Sequence, residues 1–169
     1  MNKKTQKTMF SSKSDEWATP QWIFDLLNEI QEFTLDPAAT KENHKCPHYF
    51  TQEEDGLTKD WGGHHVFINP PYSRGNLKRW IQKAYEEGLK PNTSVVMLIP
   101  ARTDTKYFHD YVLKAKEVCF VKGRITFVGA EHGAPFPSMM VVFDGEHTKP
   151  KFTSIDLKEY EPHRLKEKN

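Results

Sequence analysis

The sequence has few of the features that mark several large classes of protein. Its two cysteines, Cys46 and Cys119, are too few for a disulfide framework and lack the Cys-x-x-Cys spacing of a metal site. The formal net charge is +1, so overall charge alone does not indicate a nucleic-acid-binding protein. No apolar stretch approaches the length of a membrane span, and the polar N-terminus has no apolar signal core. We therefore expect a cytoplasmic protein with no membrane partner.

Phosphate-binding loops and clustered metal ligands are also missing. Neither GxGxxG nor GxxxxGK[ST] occurs, so the pattern favours neither a dinucleotide nor a P-loop nucleotide. Among the eight histidines, His64 and His65 are the single adjacent pair. On a strand their side chains point to opposite faces, which makes a poor chelate. We expect no bound metal.

The composition is sufficient for one globular domain. The chain has 169 residues, of which 37% are hydrophobic and 12% aromatic, and this supports a single core. Residues 1–14 are polar and basic and predict a flexible arm, residues 15–147 form the domain, and residues 148–169 are a charged C-terminal tail. Whether the protein is a monomer or a homodimer stays open.

Strand and helix patterns alternate along the chain. Thr19 is predicted to cap a helix that starts at Pro20 and carries an apolar stripe. Further helices are predicted from about 77 to 88 and from 107 to 113, and strands at 33–36, 49–51, 66–68, 94–100, 117–121, 124–128 and 138–143. This order predicts an α/β sandwich with a mainly parallel sheet and an antiparallel pair at one edge.

The tetrapeptide Asn69-Pro70-Pro71-Tyr72 follows the apolar run 66–68 directly. The prolines fix the backbone direction and push Asn69 out of the helical region. The Asn69 amide oxygen and the Pro70 carbonyl can accept the two hydrogens of an exocyclic amino group, while Tyr72 stacks on its ring. Taken alone, the tetrapeptide is equally well explained as a simple turn.

Two acidic turns precede this tetrapeptide. Asp36 opens the small-residue turn Asp36-Pro37-Ala38-Ala39, and Asp55 opens a second turn. Because ligands of parallel sheets bind at the carboxyl ends of strands, Asp36, Asp55 and Asn69 are expected at one edge. The small-residue turn lets a ligand approach the backbone closely, and the missing phosphate loops favour a cofactor without a phosphate chain.

The order of Asp-Pro-Ala and Asn-Pro-Pro-Tyr resembles the two signature motifs of S-adenosylmethionine-dependent amino-methyltransferases acting on DNA. More closely, the chain resembles the phage-type DNA N6-adenine methyltransferase (Dam) family over residues 15–20, 35–39, 55–57, 69–72, 101–105, 123–127 and 134–138. The resemblance implies a Rossmann-like methyltransferase sandwich and methylation of adenine N6 in DNA, with S-adenosylhomocysteine as product. It also implies a bacterial setting, with the protein encoded by a phage or prophage.

The resemblance further implies roles for individual residues. Asn69 to Tyr72 would hold the target base, and the cofactor would contact Trp17, Thr19, Asp36, Pro37, Ala38, Asp55 and Leu57. Arg102 and Arg124 are candidates for phosphate contact or base readout, and Phe136, or alternatively Phe127, for a second stacking face.

Other functions fit the same turns. They include amino-methylation of cytosine N4, RNA or a protein amide, a non-catalytic nucleic-acid-binding protein on the same fold, and an interaction module in which the turns are purely structural. Methylation at a ring carbon would need a cysteine after proline, whereas this chain has the reverse order in Cys46-Pro47. We therefore interpret Cys46 as a buried structural residue.

Overall fold

A computed structural model describes residues 17–162, so the predicted arm at 1–14 lies outside the described residues. Within this range the α-helices are α1 (Gln21–Gln31), α2 (Arg74–Gly88) and α3 (Lys106–Asp110). The strands are β1 (Leu35–Asp36), β2 (His48–Tyr49), β3 (His65–Ile68), β4 (Ser94–Pro100), β5 (Glu117–Val121), β6 (Ser138–Phe143) and β7 (Lys151–Ile155). Short 3-10 helices lie at Gly56–Thr58, Val112–Lys114 and Leu157–Glu159. None of the helices in this part of the chain is long and apolar enough to cross a membrane.

The strands form one sheet in the order β2-β1-β3-β4-β6-β5-β7. All neighbours pair in parallel except β6, which is antiparallel to both β4 and β5. The predicted α/β class and mainly parallel sheet are therefore confirmed. The antiparallel pairing is not at the sheet edge as predicted, because β6 inserts between β4 and β5 and β7 continues the sheet beyond β5.

Two segments differ from the sequence prediction. The charged tail predicted at 148–169 contributes the edge strand β7, in which Phe152 pairs with Val118 of β5. The strand predicted at 124–128 is irregular chain between β5 and β6. Its apolar residues Ile125 and Phe127 are nevertheless buried. Their alternation thus reflects packing into the core and not pairing in the sheet.

Helices cover both faces of the sheet. On one face, Phe24 of α1 packs against Phe67 of β3 with ring centroids 5.2 Å apart. Leu77 and Ile81 of α2 are fully buried in the larger core cluster, which also contains Ile68 of β3. Because β4 is covered on both sides, its continuous apolar run matches its burial. This arrangement leaves the carboxyl ends of β1, β3 and β4 side by side.

Candidate active site

Asn69 follows the last residue of β3, and its side-chain amide is held from one side. Its Nδ2 donates hydrogen bonds to the Trp17 carbonyl and, at 2.8 Å, to Thr19 Oγ1. Because a carbonyl can only accept, the group facing Trp17 is the NH₂ end of the amide. The other end, Oδ1, is buried and has no hydrogen-bond partner among residues 17–162. An unpaired buried acceptor is costly, so this oxygen is poised to receive a donor.

Thr19 does not cap α1 as the sequence predicted. The helix begins at Gln21, Pro20 occupies the N-cap position, and no side chain caps the helix. The Pro20 carbonyl accepts the first backbone bonds of the helix, and the Thr19 hydroxyl is used by Asn69 instead. Trp17 and Thr19, which were predicted to contact the cofactor, thus both contact Asn69; their contact with a cofactor stays a prediction.

Tyr72 is fixed in place by its hydroxyl group. The ring is 6% exposed, and the hydroxyl donates to the Leu98 carbonyl of β4 at 2.9 Å. Burial raises the pKa of Tyr72 well above its ordinary value, so the phenol stays protonated and does not act as a base. What remains for a ligand is the aromatic ring itself.

An aromatic cluster, made of Trp17, Tyr72, Phe127 and Phe136, lies next to Asn69. Phe136 meets Trp17 edge-on at 5.1 Å and Tyr72 edge-on at 5.6 Å, whereas Phe127 is 6.5 Å from Tyr72. The closer contact favours Phe136 over Phe127 as the second stacking face. Edge-on packing at this distance leaves no room for a third ring between Tyr72 and Phe136. A base that stacks there must separate these two side chains.

Asp36, the last residue of β1, is a buried carboxylate with weak partners. It is 6% exposed, and its oxygens accept backbone N–H bonds from Lys45 at 3.1 Å and from Ala38 at 3.4 Å. Burial raises its pKa to about 6, although both backbone bonds act in the opposite direction. Within residues 17–162 no basic side chain forms an ion pair with Asp36. A buried carboxylate that forms no ion pair with the described residues, although the charge of Lys45 acts on it at longer range, suits a positively charged ligand group.

The second acidic turn packs directly on the first. Asp55 adopts a left-handed conformation at φ 53°, and its Oδ1 accepts a bond from the Leu57 N–H at 3.2 Å. A Cβ added to the next residue, Gly56, would lie 2.0 Å from the Pro37 carbonyl oxygen. The indole N–H of Trp61 donates a hydrogen bond to the Gly56 carbonyl at 2.9 Å and so holds the turn in place. The two acidic turns are therefore in contact, as expected for one sheet edge.

Arg102 and Arg124 are both exposed. Arg102 lies two residues beyond β4 and Arg124 three residues beyond β5, both past the carboxyl ends of their strands. Neither arginine forms an ion pair with another residue of the described range 17–162. Their charges are thus available to an anionic partner.

Two features of the site left no signal in the sequence. The Leu98 anchor of Tyr72 is a backbone carbonyl, which no side-chain motif reveals. The Val128 N–H donates to the Ala18 carbonyl at 3.0 Å and ties the segment between β5 and β6 to the chain just before α1. This bond depends on the tertiary fold and follows no local pattern.

Cys46 is buried and forms no disulfide, as its interpretation as a structural residue predicts. Burial raises the pKa of its thiol to about 12. The thiolate needed for nucleophilic attack on a ring carbon is therefore strongly disfavoured. In the described part of the chain no group of three or more His, Cys, Asp or Glu side chains is placed to hold a metal ion.

Comparison with known proteins connects this site to one family. The family model described as DNA N-6-adenine-methyltransferase (Dam) matches residues 6–163. A DNA N-6-adenine-methyltransferase of Haemophilus phage HP1 is 33% identical over 172 residues, covering 97% of this chain and 96% of the relative. One of Escherichia phage T1 is 33% identical over 114 residues, covering 66% of this chain and 47% of that protein.

A solved structure supports the fold independently. The modification subunit of a putative type I restriction enzyme from Vibrio vulnificus YJ016 superposes with a TM-score of 0.51 at 11% identity. The match covers 90% of this chain and 50% of that one, so our chain spans half of its length. At this identity the similarity concerns the fold alone. From the family match and the phage relative of nearly equal length, the chain belongs to the DNA N-6-adenine-methyltransferase (Dam) family, the adenine-specific DNA methyltransferases.

Proposed function

We propose that this protein transfers the methyl group of S-adenosylmethionine to the N6 amino group of adenine in DNA and that Asn69 holds this amino group. The observation that carries the proposal is the buried, unpartnered Oδ1 of Asn69, whose NH₂ end is occupied by Trp17 and Thr19. An exocyclic amino group supplies the donor that this oxygen lacks.

The chemistry follows from the residue types around Asn69. The N6 lone pair of adenine is delocalised into the ring, which makes the nitrogen a poor nucleophile. When Asn69 Oδ1 and the Pro70 carbonyl accept its two hydrogens, a pyramidal and more nucleophilic nitrogen is favoured. The Tyr72 ring, fixed through Leu98, stacks on the base and sets its orientation. A methyl transfer of this kind depends mainly on alignment of the reacting atoms.

The acidic turns fit the cofactor. When bound, S-adenosylmethionine supplies the electrophilic methyl group; its methionine end also carries an ammonium group. The buried carboxylate of Asp36, which forms no ion pair with the described residues, suits that ammonium group. Asp55 and Leu57, which pack against the Asp36 turn through Gly56, would hold the adenine of the cofactor. Trp17 and Thr19 would contact it from the segment before α1.

DNA would reach this edge with the target base rotated out of the helix, since N6 is inaccessible to the enzyme inside a duplex. Tyr72 and Phe136 would separate and stack on the two faces of the base. The exposed Arg102 and Arg124 would contact phosphates or base edges. We place this activity in the bacterial cytoplasm and expect a phage or prophage origin, like that of the two DNA N-6-adenine-methyltransferase relatives.

The proposal is tested by offering labelled S-adenosylmethionine together with DNA, RNA or protein and identifying the product by nucleoside analysis. We expect label in DNA as N6-methyladenine. Label found as N4-methylcytosine, in RNA alone or in protein alone would contradict the assignment of the substrate. Cofactor binding without any transfer would instead favour the non-catalytic alternative.

A further inference from the structure

Ser138, the first residue of β6, carries a second buried polar atom without a partner. The residue is 1% exposed, and no described residue forms a hydrogen bond with its Oγ. Leaving a buried hydroxyl unsatisfied costs free energy that an alanine at this position would not cost. None of the roles described above uses this hydroxyl.

The register of the sheet places Ser138 on the same face as Asn69. Ile68 of β3 lies beside Met97 of β4, so Asn69 comes level with Leu98. Ser138 lies opposite Pro100, two residues beyond Leu98. Residues two apart on a strand share a face, and directly opposed residues of neighbouring strands do too. Asn69 and Ser138 therefore stand on one face.

This face is the one that α1 covers. Phe67 and Val96 pack with Phe24 of α1, and Val142 of β6 packs against the same cluster. By alternation, Asn69 continues the side of Phe67, and Ser138 shares the side of Val142. The hydrogen bonds from Asn69 to the residues just before α1 agree with this placement.

The distance between the two residues matches a base held by two hydrogen bonds. Two strand spacings and two residues of rise put the Cα atoms of Asn69 and Ser138 about 12 Å apart, with Leu98 between them on the same face. Two short side chains, two hydrogen bonds of about 2.9 Å each and part of a purine ring span about this distance. Trp17 bridges the same interval, since its carbonyl bonds to Asn69 and its ring contacts Phe136, two residues before Ser138.

We propose that Ser138 is a specificity-determining residue whose hydroxyl donates a hydrogen bond to a ring nitrogen flanking the target amino group, N1 or N7 of adenine. This inference rests on the proposed function. Asn69 and Pro70 accept from the amino group, and Ser138 donates to a ring nitrogen beside it. Along the edge that pairs with another base, guanine and thymine present the reverse pattern, a carbonyl beside a ring N–H. On that edge the three residues would thus reject guanine and thymine but accept cytosine, whose amino group also lies beside a ring-nitrogen acceptor. A contact at N7, which pyrimidines lack, would reject cytosine as well.

The test pairs a protein variant with base analogues. The recognised sequence is first mapped with the wild-type enzyme on unmethylated DNA. Duplexes with adenine, 1-deazaadenine or 7-deazaadenine at the target position are then compared. We expect wild-type kcat/KM to fall about tenfold or more on one analogue, and Ser138→Ala to lose a similar factor on adenine but little more on that same analogue. The analogue that shows this behaviour identifies the nitrogen.

The control is Ser94→Ala, a serine at the opposite end of β4. It should leave kcat/KM on adenine and on both analogues unchanged. Ser138→Ala should melt at or above the wild-type temperature, because the hydroxyl that it removes is unpaired. Equal losses on all three bases, or full activity of Ser138→Ala on adenine, would overturn the inference. The inference would also be overturned if the wild-type enzyme had the same kcat/KM on both analogues as on adenine, a result that does not depend on whether a variant folds. Failure of the proposed function shows separately, as wild-type enzyme that methylates no adenine at all.

Discussion

At the scale of single residues, the hydroxyl of Thr19 accepts a hydrogen bond from the Asn69 amide at 2.8 Å. Thr19→Val keeps the side-chain volume and removes this acceptor, so the amide loses one of its two restraints. We expect kcat to fall about tenfold, the size of one buried hydrogen bond, in addition to any loss of cofactor affinity, which calorimetry measures separately.

The matched control is Thr153→Val, which removes a hydrogen bond to Glu117 at the far edge of the sheet. It should leave kcat unchanged. If Thr19→Val weakens cofactor binding and spares kcat, the residue acts as the family resemblance predicted and does not position Asn69.

Asp36 makes cofactor binding depend on pH. Its pKa is raised to about 6 by burial, so the carboxylate is charged at pH 7 and protonated at pH 5. If the charged form holds the cofactor ammonium, affinity for S-adenosylmethionine falls about tenfold between pH 7 and pH 5. Titration calorimetry across this range measures the effect, and Asp36→Asn should bind weakly with no such slope. A slope that persists in Asp36→Asn would assign the proton to another group.

Folding favours the protonated form of Asp36, whereas the proposed cofactor contact favours the charged form. The folded state holds the Asp36 proton more tightly than the unfolded chain, whose carboxyl has the ordinary value near 3.8. This residue therefore makes the cofactor-free protein less stable as the pH rises from about 4 to 6. A group that is unfavourable in the fold but suits the cofactor is typical of a functional site.

At the scale of elements, the contact between the two acidic turns depends on Gly56. Gly56→Ala would drive its Cβ into the Pro37 carbonyl, which lies 2.0 Å from the Cβ position. We expect the turns to move apart, with a loss of about 1–3 kcal/mol in the free energy of unfolding and weaker cofactor binding. Chemical denaturation and calorimetry measure the two effects.

Gly75, in the first turn of α2, is the matched control, because apart from its chain neighbours and its own helix backbone no atom of the described residues lies within 4 Å of its Cβ position. Gly75→Ala should leave cofactor binding unchanged and keep or slightly raise stability. Unchanged cofactor binding in Gly56→Ala would show that the two turns do not form one cofactor site.

The elements also show what the sequence could predict. β4 was predicted correctly because its continuous apolar run has one interpretation, a strand buried on both faces. The prediction of a strand at 124–128 was wrong because apolar alternation indicates burial only. Ile125 and Phe127 are buried without forming hydrogen-bonded pairs with a neighbouring strand. β7 was missed because Lys151–Ile155 is an edge strand in which no residue is buried, so its apolar residues follow no clear burial pattern. The position of β6 depends on long-range pairing that no local pattern encodes.

At the scale of the whole molecule, DNA binding must come from local charge, since the formal net charge is +1. Arg102 and Arg124 are exposed past the ends of β4 and β5. If each contacts one phosphate, replacing either with alanine weakens DNA binding and reduces the slope of log affinity against log salt by about 0.9. Arg79→Ala, an exposed arginine within α2, is the control. An unchanged slope in both variants would place the DNA on another surface.

The measurement that tests the central claim most directly is the separation of turnover from cofactor binding in Asn69→Ala. The unpartnered Oδ1 of Asn69 is the group assigned to the target amine. We predict that this variant binds S-adenosylmethionine within about threefold of wild type, a difference below 1 kcal/mol. Its methyl transfer to adenine should fall by at least about a hundredfold. Substantial residual methylation, or loss of cofactor binding with unchanged kcat, would contradict the assignment of Asn69 as the residue that holds the adenine amino group.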